Sequence, residues 1–542
     1  MPGTDLHERC RVAGRGRAGR RDAVIPGQGE RDVRVVVVGA GFSGLGAGIR
    51  LREAGFRDVL VLEKAEQLGG TWRDNTYPGC ACDVPSTLYS YSFAPDAGWS
   101  RVFAGQEEIR AYLAATAERY GLAEVLRCGV ALHEARWDPA AGRWQLETSD
   151  GSYSAAVLVM ATGPWHVPRT LDVPGIDGFA GPVLHTARWD DSVDLAGKRV
   201  SVVGSGASAV QVVPAITGRA AAVHVFQRTA QWVLPKPDLA LSPAFHQVVN
   251  RLPGARRGLR ASQYALQESF GYAFRHPGLA RLLEAGARAH LRLSVPDPQL
   301  RRALTPGYRL GCKRLLTSST YYPALNRPHV RLHATAVSAV RGNEVVGADG
   351  TVAETDVLVT ATGFRVGELP LAANVHGTDG RSLADVWGGE PQAYLGTTVG
   401  GFPNLFLLLG PNLLGGSTSA ITVLEAQLTY LTAALGHLDR SAGRALEVRP
   451  GVQDAHNSAV QAALATTVYN TGGCTSYYLS SSGRNTFAWP WSTPRLTRRL
   501  NRFDPAAYVW QAPPAPLPAA RTAPDDSAPA PSHPQGTGRP TR

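Results

Sequence analysis

The sequence predicts an α/β fold: two Rossmann-like domains in succession, the second carrying a helical insertion. Two observations carry that expectation. A β-branched run at Arg34–Val38 ends in the glycine-rich turn Gly39-Ala40-Gly41-Phe42-Ser43-Gly44, and the same order of strand, turn and helix recurs from Arg199. Two later strands, Val157–Met160 and Asp356–Thr360, each end in Ala-Thr-Gly, which suits places where a chain crosses between paired domains. A strand, a helix and a parallel strand in sequence make a βαβ unit, and two such units imply two dinucleotide sites.

In the first unit, helical-looking Leu45–Ala54 follows the turn, and a second strand, Val59–Leu62, closes at Glu63. Gly39 permits the tight turn, Gly41 lets the backbone approach a pyrophosphate, and Gly44 allows close packing of helix on strand. Ser43 lies at the start of the helix, whose amides face the phosphate charge. Glu63 is placed to accept hydrogen bonds from ribose hydroxyls, so this unit is assigned to FAD.

The second unit runs from strand Arg199–Val203 through Gly204-Ser205-Gly206-Ala207-Ser208-Ala209 into a helix containing Gln211. The next strand, Ala222–Phe226, delivers Gln227-Arg228-Thr229. Arg228 follows Gly204 at the same offset at which Glu63 follows Gly39, with the charge reversed. A guanidinium there suits a ribose 2′-phosphate, whereas a carboxylate suits a free hydroxyl. The second unit is therefore assigned to NADPH, with Ser205, Ala207, Ser208, Ala209, Gln211 and Thr229 placed along the nucleotide.

These units divide the chain into an FAD domain over 33–163 and 364–505 and an NADPH domain over 164–363. The Arg-rich and Leu/Ala-rich stretch Pro237–Tyr308 reads as a helical insertion, centred on about 237–308. A buried strand at Leu405–Leu409 and a helix around Thr422–Leu435 belong to the returning FAD domain. Residues 1–32 read as a disordered arm, and the Pro/Ala/Ser-rich 513–542 as a disordered tail.

At 542 residues with 44% hydrophobic content, the composition is that of a multidomain globular protein. The net charge of +11 comes from scattered arginines, only four lysines being present, and no aromatic-interleaved basic stripe points to nucleic acid. No apolar run reaches the ~18 residues of a membrane span. The six cysteines form no CxxC pair, so reduced thiols and a cytoplasmic location are expected. No metal-ligand cluster is visible. A monomer or weak homo-oligomer is expected.

Three further segments narrow the chemistry. Between the two units stands Phe179-Ala180-Gly181-Pro182-Val183-Leu184-His185-Thr186-Ala187-Arg188-Trp189-Asp190, an FxGxxxHxxxW[P/D] pattern. A lone GxGxxG arises readily by chance in a glycine-rich chain, whereas this pattern is expected in about one chain per thousand. After the first unit comes Gly69-Gly70-Thr71-Trp72, continuing to Tyr77-Pro78-Gly79 and Asp83. Later, Gly311-Cys312-Lys313-Arg314 precedes Tyr321-Tyr322-Pro323-Ala324-Leu325-Asn326.

Together these segments, over roughly residues 33 to 505, resemble the Baeyer–Villiger monooxygenases. The resemblance implies an FAD enzyme that consumes NADPH and O₂ and inserts one oxygen atom beside a ketone carbonyl, through a C4a-peroxyflavin, to give an ester or lactone. It further implies that Thr71 and Trp72 lie along the flavin, that Asp83 faces the nicotinamide side, and that Tyr89 contacts FAD. By the same resemblance, Arg314 is the active-site arginine, oriented by Asp83, and Lys313 joins Arg228 at the NADPH phosphate. A guanidinium suits that place because it stays protonated in a water-poor pocket where oxyanion charge develops. His185 is expected to couple domain movement to NADP⁺ retention.

The chain also departs from that family's pattern. Thr475-Ser476-Tyr477-Tyr478 places Tyr477 where many members have a tryptophan near NADPH, and Pro411-Asn412-Leu413-Leu414-Gly415-Gly416-Ser417 lacks their histidine. The alternatives are a flavin monooxygenase acting on nitrogen or sulfur and a non-oxygenating flavin oxidoreductase. The Trp189-Asp190 ending of the linking segment favours the ketone reading over the first. The spacing of Cys80 and Cys82 disfavours a disulfide reductase.

Overall fold

The computed structural model describes residues 31–95, 98–415, 418–441 and 445–511. The expected tail and most of the expected arm lie outside these residues. Arg31 and Asp32, which the arm was expected to include, already belong to the first strand.

Strand β1 (Arg31–Val38) carries a run of valines because both faces of a parallel sheet are covered; Val35, Val36 and Val37 have no exposed surface. Helix α1 (Phe42–Glu53) starts at the first glycine-rich turn, and β2 (Val59–Glu63) returns beside β1. A Cβ on Gly44 would stand 1.7 Å from the Gly39 carbonyl oxygen, so only glycine allows α1 to leave the turn at this angle. Helix α2 (Gln106–Arg119) leads to β3 (Leu126–Cys128), which pairs with β2. Strands β4 (Leu132–Asp138), β5 (Arg143–Thr148) and β6 (Gly151–Met160) form an antiparallel meander, and β6 then runs parallel to β1.

The chain crosses to a second sheet at β7 (Val183–His185) and β8 (Arg199–Val203). Helix α3 (Ala207–Ile216) and β9 (Ala222–Phe226) complete the second βαβ unit. The insertion holds α4 (Pro243–Arg251), α5 (Ala255–Arg275) and α6 (Pro277–Ser294), followed by a short helix, Pro298–Ala303. Ser242 begins α4 by accepting the Phe245 amide at 3.2 Å, with Pro243 in the first turn. Strands β10 (Val330–His333) and β11 (Val357–Thr360) finish a sheet ordered β10–β9–β8–β11–β7, parallel throughout. Beyond it, β12 (Leu405–Leu407) pairs with β6 in the first sheet, and α7 (Ala420–Arg440) packs on α1. This is the expected α/β architecture with two dinucleotide-type sheets.

The cysteines differ from expectation. Reduced thiols were expected, but Cys312 and Cys474 form a disulfide across 162 sequence positions, and Cys128 is disulfide-bonded as well. Cys80 and Cys82 are free. Spacing rules recognise close pairs, whereas here the fold brings together two cysteines remote in sequence. A peptide map without reductant should yield the Cys312–Cys474 linked peptide, and dithiothreitol should split it. Full alkylation of both residues before reduction would refute the bridge.

Candidate active site

A cavity of about 410 Å³ opens at the end of the first sheet, where ligands of open α/β sheets bind. Gly39, Gly41, Ser43, Glu63, Gly70, Thr71, Trp72 and Tyr89 line it, together with Thr162, Gly163 and Trp165 from the crossover. Helix α1 has Gly41 at its N-cap, no side-chain cap and no acid in its first turn. Its positive end therefore faces the cavity without a competing carboxylate, a fit for pyrophosphate.

Glu63 is held more firmly than the sequence indicated. One carboxylate oxygen accepts the Ala40 amide at 2.8 Å; the other accepts the Ala65 amide at 3.0 Å and Arg73 Nη1 at 2.9 Å. Of about four acceptor positions on a carboxylate, roughly one stays open for a ribose hydroxyl. Arg73, not anticipated from the sequence, fixes the carboxylate, and its own burial is offset first by the charge of Glu63. Trp72 Nε1 donates to Tyr89 Oη at 3.2 Å, and the two rings meet edge to face at 5.6 Å. Burial pushes the Tyr89 phenol up, so it remains a neutral donor.

Asp83 and Arg314 lie beyond Tyr89 and form a bidentate pair. Arg314 Nε donates to Oδ2 at 2.9 Å and Nη2 to Oδ1 at 2.8 Å, with both side chains a little over a quarter exposed. Two parallel bonds fix the plane of the guanidinium as well as its position. The Asp83 charge holds Arg314 protonated against its own burial. Tyr477 and Tyr478 interact with the same guanidinium, and burial keeps both phenols protonated. Tyr478 stacks on Phe487 at 5.1 Å. The Cys312–Cys474 bridge joins the segment bearing Lys313 and Arg314 to the loop bearing Tyr477.

The second unit presents a different surface. Helix α3 has Gly206 at its N-cap, again with no side-chain cap or first-turn acid, and a Cβ on Gly206 would meet open space. Ser205 Oγ donates to the Thr229 carbonyl at 2.7 Å, tying the turn to the end of β9. Arg228 is exposed and close enough to lower the Lys313 pKa, whose chief depressant is burial. Lys313 lies 5.2 Å over the Tyr308 ring. Two adjacent cations repel one another unless an anion joins them, which is the charge pattern a 2′-phosphate requires. Gln211 is committed elsewhere: its Oε1 accepts Tyr77 Oη at 2.7 Å and its Nε2 donates to the Ala81 carbonyl at 2.9 Å. It ties the loop leading to Asp83 onto the second domain.

His185 closes β7 and is followed directly by a turn. Its Nδ1 accepts the Ala187 amide at 3.0 Å, and its Nε2 lies 3.3 Å from Thr362 Oγ1. An accepting Nδ1 requires the neutral ring, and burial holds the pKa below the ordinary histidine value. Around it, a Cβ on Gly181 would stand 2.1 Å from the Asp356 carbonyl oxygen. Trp189 packs on the second core, and Asp190 accepts the Ser192 amide at 2.9 Å. The FxGxxxHxxxWD segment is thus built from a close backbone crossing, a capped turn and a core anchor.

Sequence reasoning passed over several residues at this site. Lys236 donates to the Cys82 carbonyl at 3.1 Å, and Gln106 Nε2 donates to the Trp72 carbonyl. His166 borders the cavity, as do Leu409 and Ile421. The Ala161-Thr162-Gly163 echo was the available signal for the crossover lining; none existed for Lys236 or Gln106. Among the described residues, no group of three or more metal-type ligands occurs and no helix is long and apolar enough to cross a membrane.

Residues 36–264 match the family model described as pyridine nucleotide-disulphide oxidoreductase. The chain is 48% identical over 478 residues to a Baeyer-Villiger monooxygenase of Streptomyces coelicolor, covering 88% of this chain and 92% of that one. It is 41% identical over 482 residues to a Baeyer-Villiger monooxygenase of Pseudomonas aeruginosa, covering 88% and 91%. The solved OTEMO complex with FAD and NADP superposes with a TM-score of 0.80 at 25% identity, covering 89% of this chain and 100% of that one.

Fold, site and similarity define a flavoprotein monooxygenase that uses FAD and NADPH. Its two nucleotide-type turns account for the two cofactors. Within that class, the chain belongs to the Baeyer–Villiger monooxygenase family.

Proposed function

We propose that the substrate is a ketone, converted to an ester or lactone, and that Arg314 is the residue that stabilises the charge of oxygen transfer. The observation carrying this reading is the bidentate Arg314–Asp83 pair beside Tyr477 and Tyr478. Bound FAD, reduced by NADPH, supplies the activated oxygen. Insertion beside a carbonyl places negative charge on oxygen, and a cation already fixed in position stabilises it without reorganising. Asp83 supplies that fixation through its two hydrogen bonds. The neutral phenols of Tyr477 and Tyr478 add no competing charge beside the guanidinium.

Geometry and charge support the remaining assignments. Gly39, Gly41, Ser43, Gly44 and Glu63 hold the FAD nucleotide, with Thr71, Trp72 and Tyr89 along its cavity. Gly204 to Ala209 and Thr229 receive NADPH, with Arg228 and Lys313 at its 2′-phosphate. His185, neutral and held between the Ala187 amide and Thr362, acts as a positioning residue at the crossover between domains rather than as a proton carrier. The coupling of domain movement to NADP⁺ retention is assigned to this crossover.

The test is product analysis with ¹⁸O₂, NADPH and a panel of ketones and sulfides. The expected result is an ester or lactone bearing one ¹⁸O atom. Sulfoxide without any ester would overturn the ketone assignment in favour of heteroatom oxygenation.

A further inference from the structure

Helix α6 divides its circumference into three faces instead of the usual two. Ala280, Glu284, Ala287 and Leu291 point inward and are at most 6% exposed. At about 100° per residue, Arg281, Arg288 and Arg292 fall within about 40° of one another, forming a second row. The third row, Leu279, Leu282, Ala285, Ala289 and Leu293, spans about 120° and faces solvent. Leu282 is 70% exposed and Leu293 87%. A helix that served only to pack on the protein would carry polar residues on this third face.

The neighbouring helices continue the pattern. Val248 and Leu252, at and just beyond the end of α4, are each 56% exposed, and Tyr272 on α5 is 52% exposed. Of the twelve large apolar residues exposed among the described residues, eight lie between Leu239 and Leu293, so the apolar surface is a property of the insertion. Its charge is equally one-sided: residues 243–294 contain eight arginines and two glutamates. Both glutamates are already paired, Glu268 with Arg275 at 2.8 Å and Glu284 with Arg309 at 2.8 Å. Arg288 reaches over the Trp232 ring at 5.6 Å, while Arg281 and Arg292 have no ion pair among the described residues.

An exposed leucine row beside an unneutralised arginine row is the surface that lies in the interface of an anionic bilayer. Leucines enter the acyl boundary and arginines meet the lipid phosphates. We infer that the helical insertion docks this enzyme on an anionic lipid surface, with α6 lying flat along it. A second copy of the chain fits less well, because two such faces would bring arginine rows together. The helix is also too charged to span a bilayer, in keeping with the lack of a spanning helix among the described residues.

The test is flotation of the full FAD-loaded chain with phosphatidylcholine vesicles, made with and without phosphatidylglycerol. Binding is expected to the anionic vesicles only and to weaken as salt is raised. The double variant Leu282→Gln/Leu293→Gln should lose about 100-fold or more of that binding, and Arg281→Gln/Arg292→Gln about 30-fold. Both variants should oxidise NADPH at the parent rate, which shows that they fold. Absence of flotation with anionic vesicles would overturn the inference. So would binding that the leucine variant leaves intact, or a dimer, seen by light scattering, that the same variant dissolves.

Discussion

Arg314→Ala should retain its FAD and still oxidise NADPH, yet form ester about 10²–10³-fold more slowly. That loss corresponds to about 3–4 kcal/mol of transition-state stabilisation, the range for removing one preorganised partner of a developing oxyanion. The folded state should tolerate the change, because Asp83 is partly exposed and water can satisfy its freed oxygens. Arg314→Lys separates charge from geometry. Lysine keeps the cation but offers a point charge in place of the fork that Asp83 grips through Nε and Nη2, so it should recover only part of the rate. Ester and hydrogen peroxide are measured together, and uncoupled peroxide should rise as ester falls. Parent-level ester from Arg314→Ala would remove this residue from the mechanism.

Loss of Arg228 and Lys313 should strike cofactor choice and leave chemistry intact. A hydrogen bond to a charged group contributes about 1.5–3 kcal/mol, so each of Arg228→Ala and Lys313→Ala should raise the KM for NADPH by about 10–100-fold. The KM for NADH, which has no 2′-phosphate, should stay nearly constant. The kcat should also hold, since the phosphate binds equally in ground and transition states. A pH profile sharpens the test. Burial, and then the charge of Arg228, lowers the Lys313 pKa, so the ammonium is lost at lower pH than for an ordinary lysine. Affinity for NADPH should therefore fall as pH rises through that lowered value. Arg228→Ala removes one of the two causes and should move this alkaline limb upward. Equal KM changes for NADPH and NADH would show that neither residue reads the phosphate.

Much of this site could be read from the chain because its parts are local. The two glycine turns, the acidic Glu63 and the basic Arg228 each follow from spacing within a single βαβ unit, where turn geometry dictates residue type. Asp83 and Arg314 were linked only through family resemblance, which implied that Asp83 orients the arginine. Their pairing joins positions 231 apart and leaves no periodic trace in sequence. The same holds for Gln211, whose place in the helix after the second turn suggested a nucleotide contact. Its amide instead bonds Tyr77 and Ala81 and fastens the domains together. Arg73 on Glu63 was missed for a related reason, since a charged residue beside a motif resembles any solvated arginine.

The amino-acid sequence by itself determined the α/β class, the two nucleotide turns and the charge that distinguishes their ribose sites. Strand periodicity, glycine sterics and fixed offsets act over a few residues, and local physics is enough to read them. Only the tertiary structure decided the bidentate arginine, the bridge between Cys312 and Cys474, the neutral state of His185, and which face of α6 meets solvent. Each depends on which remote segments come into contact and what each contact excludes from water, and that is settled when the core closes.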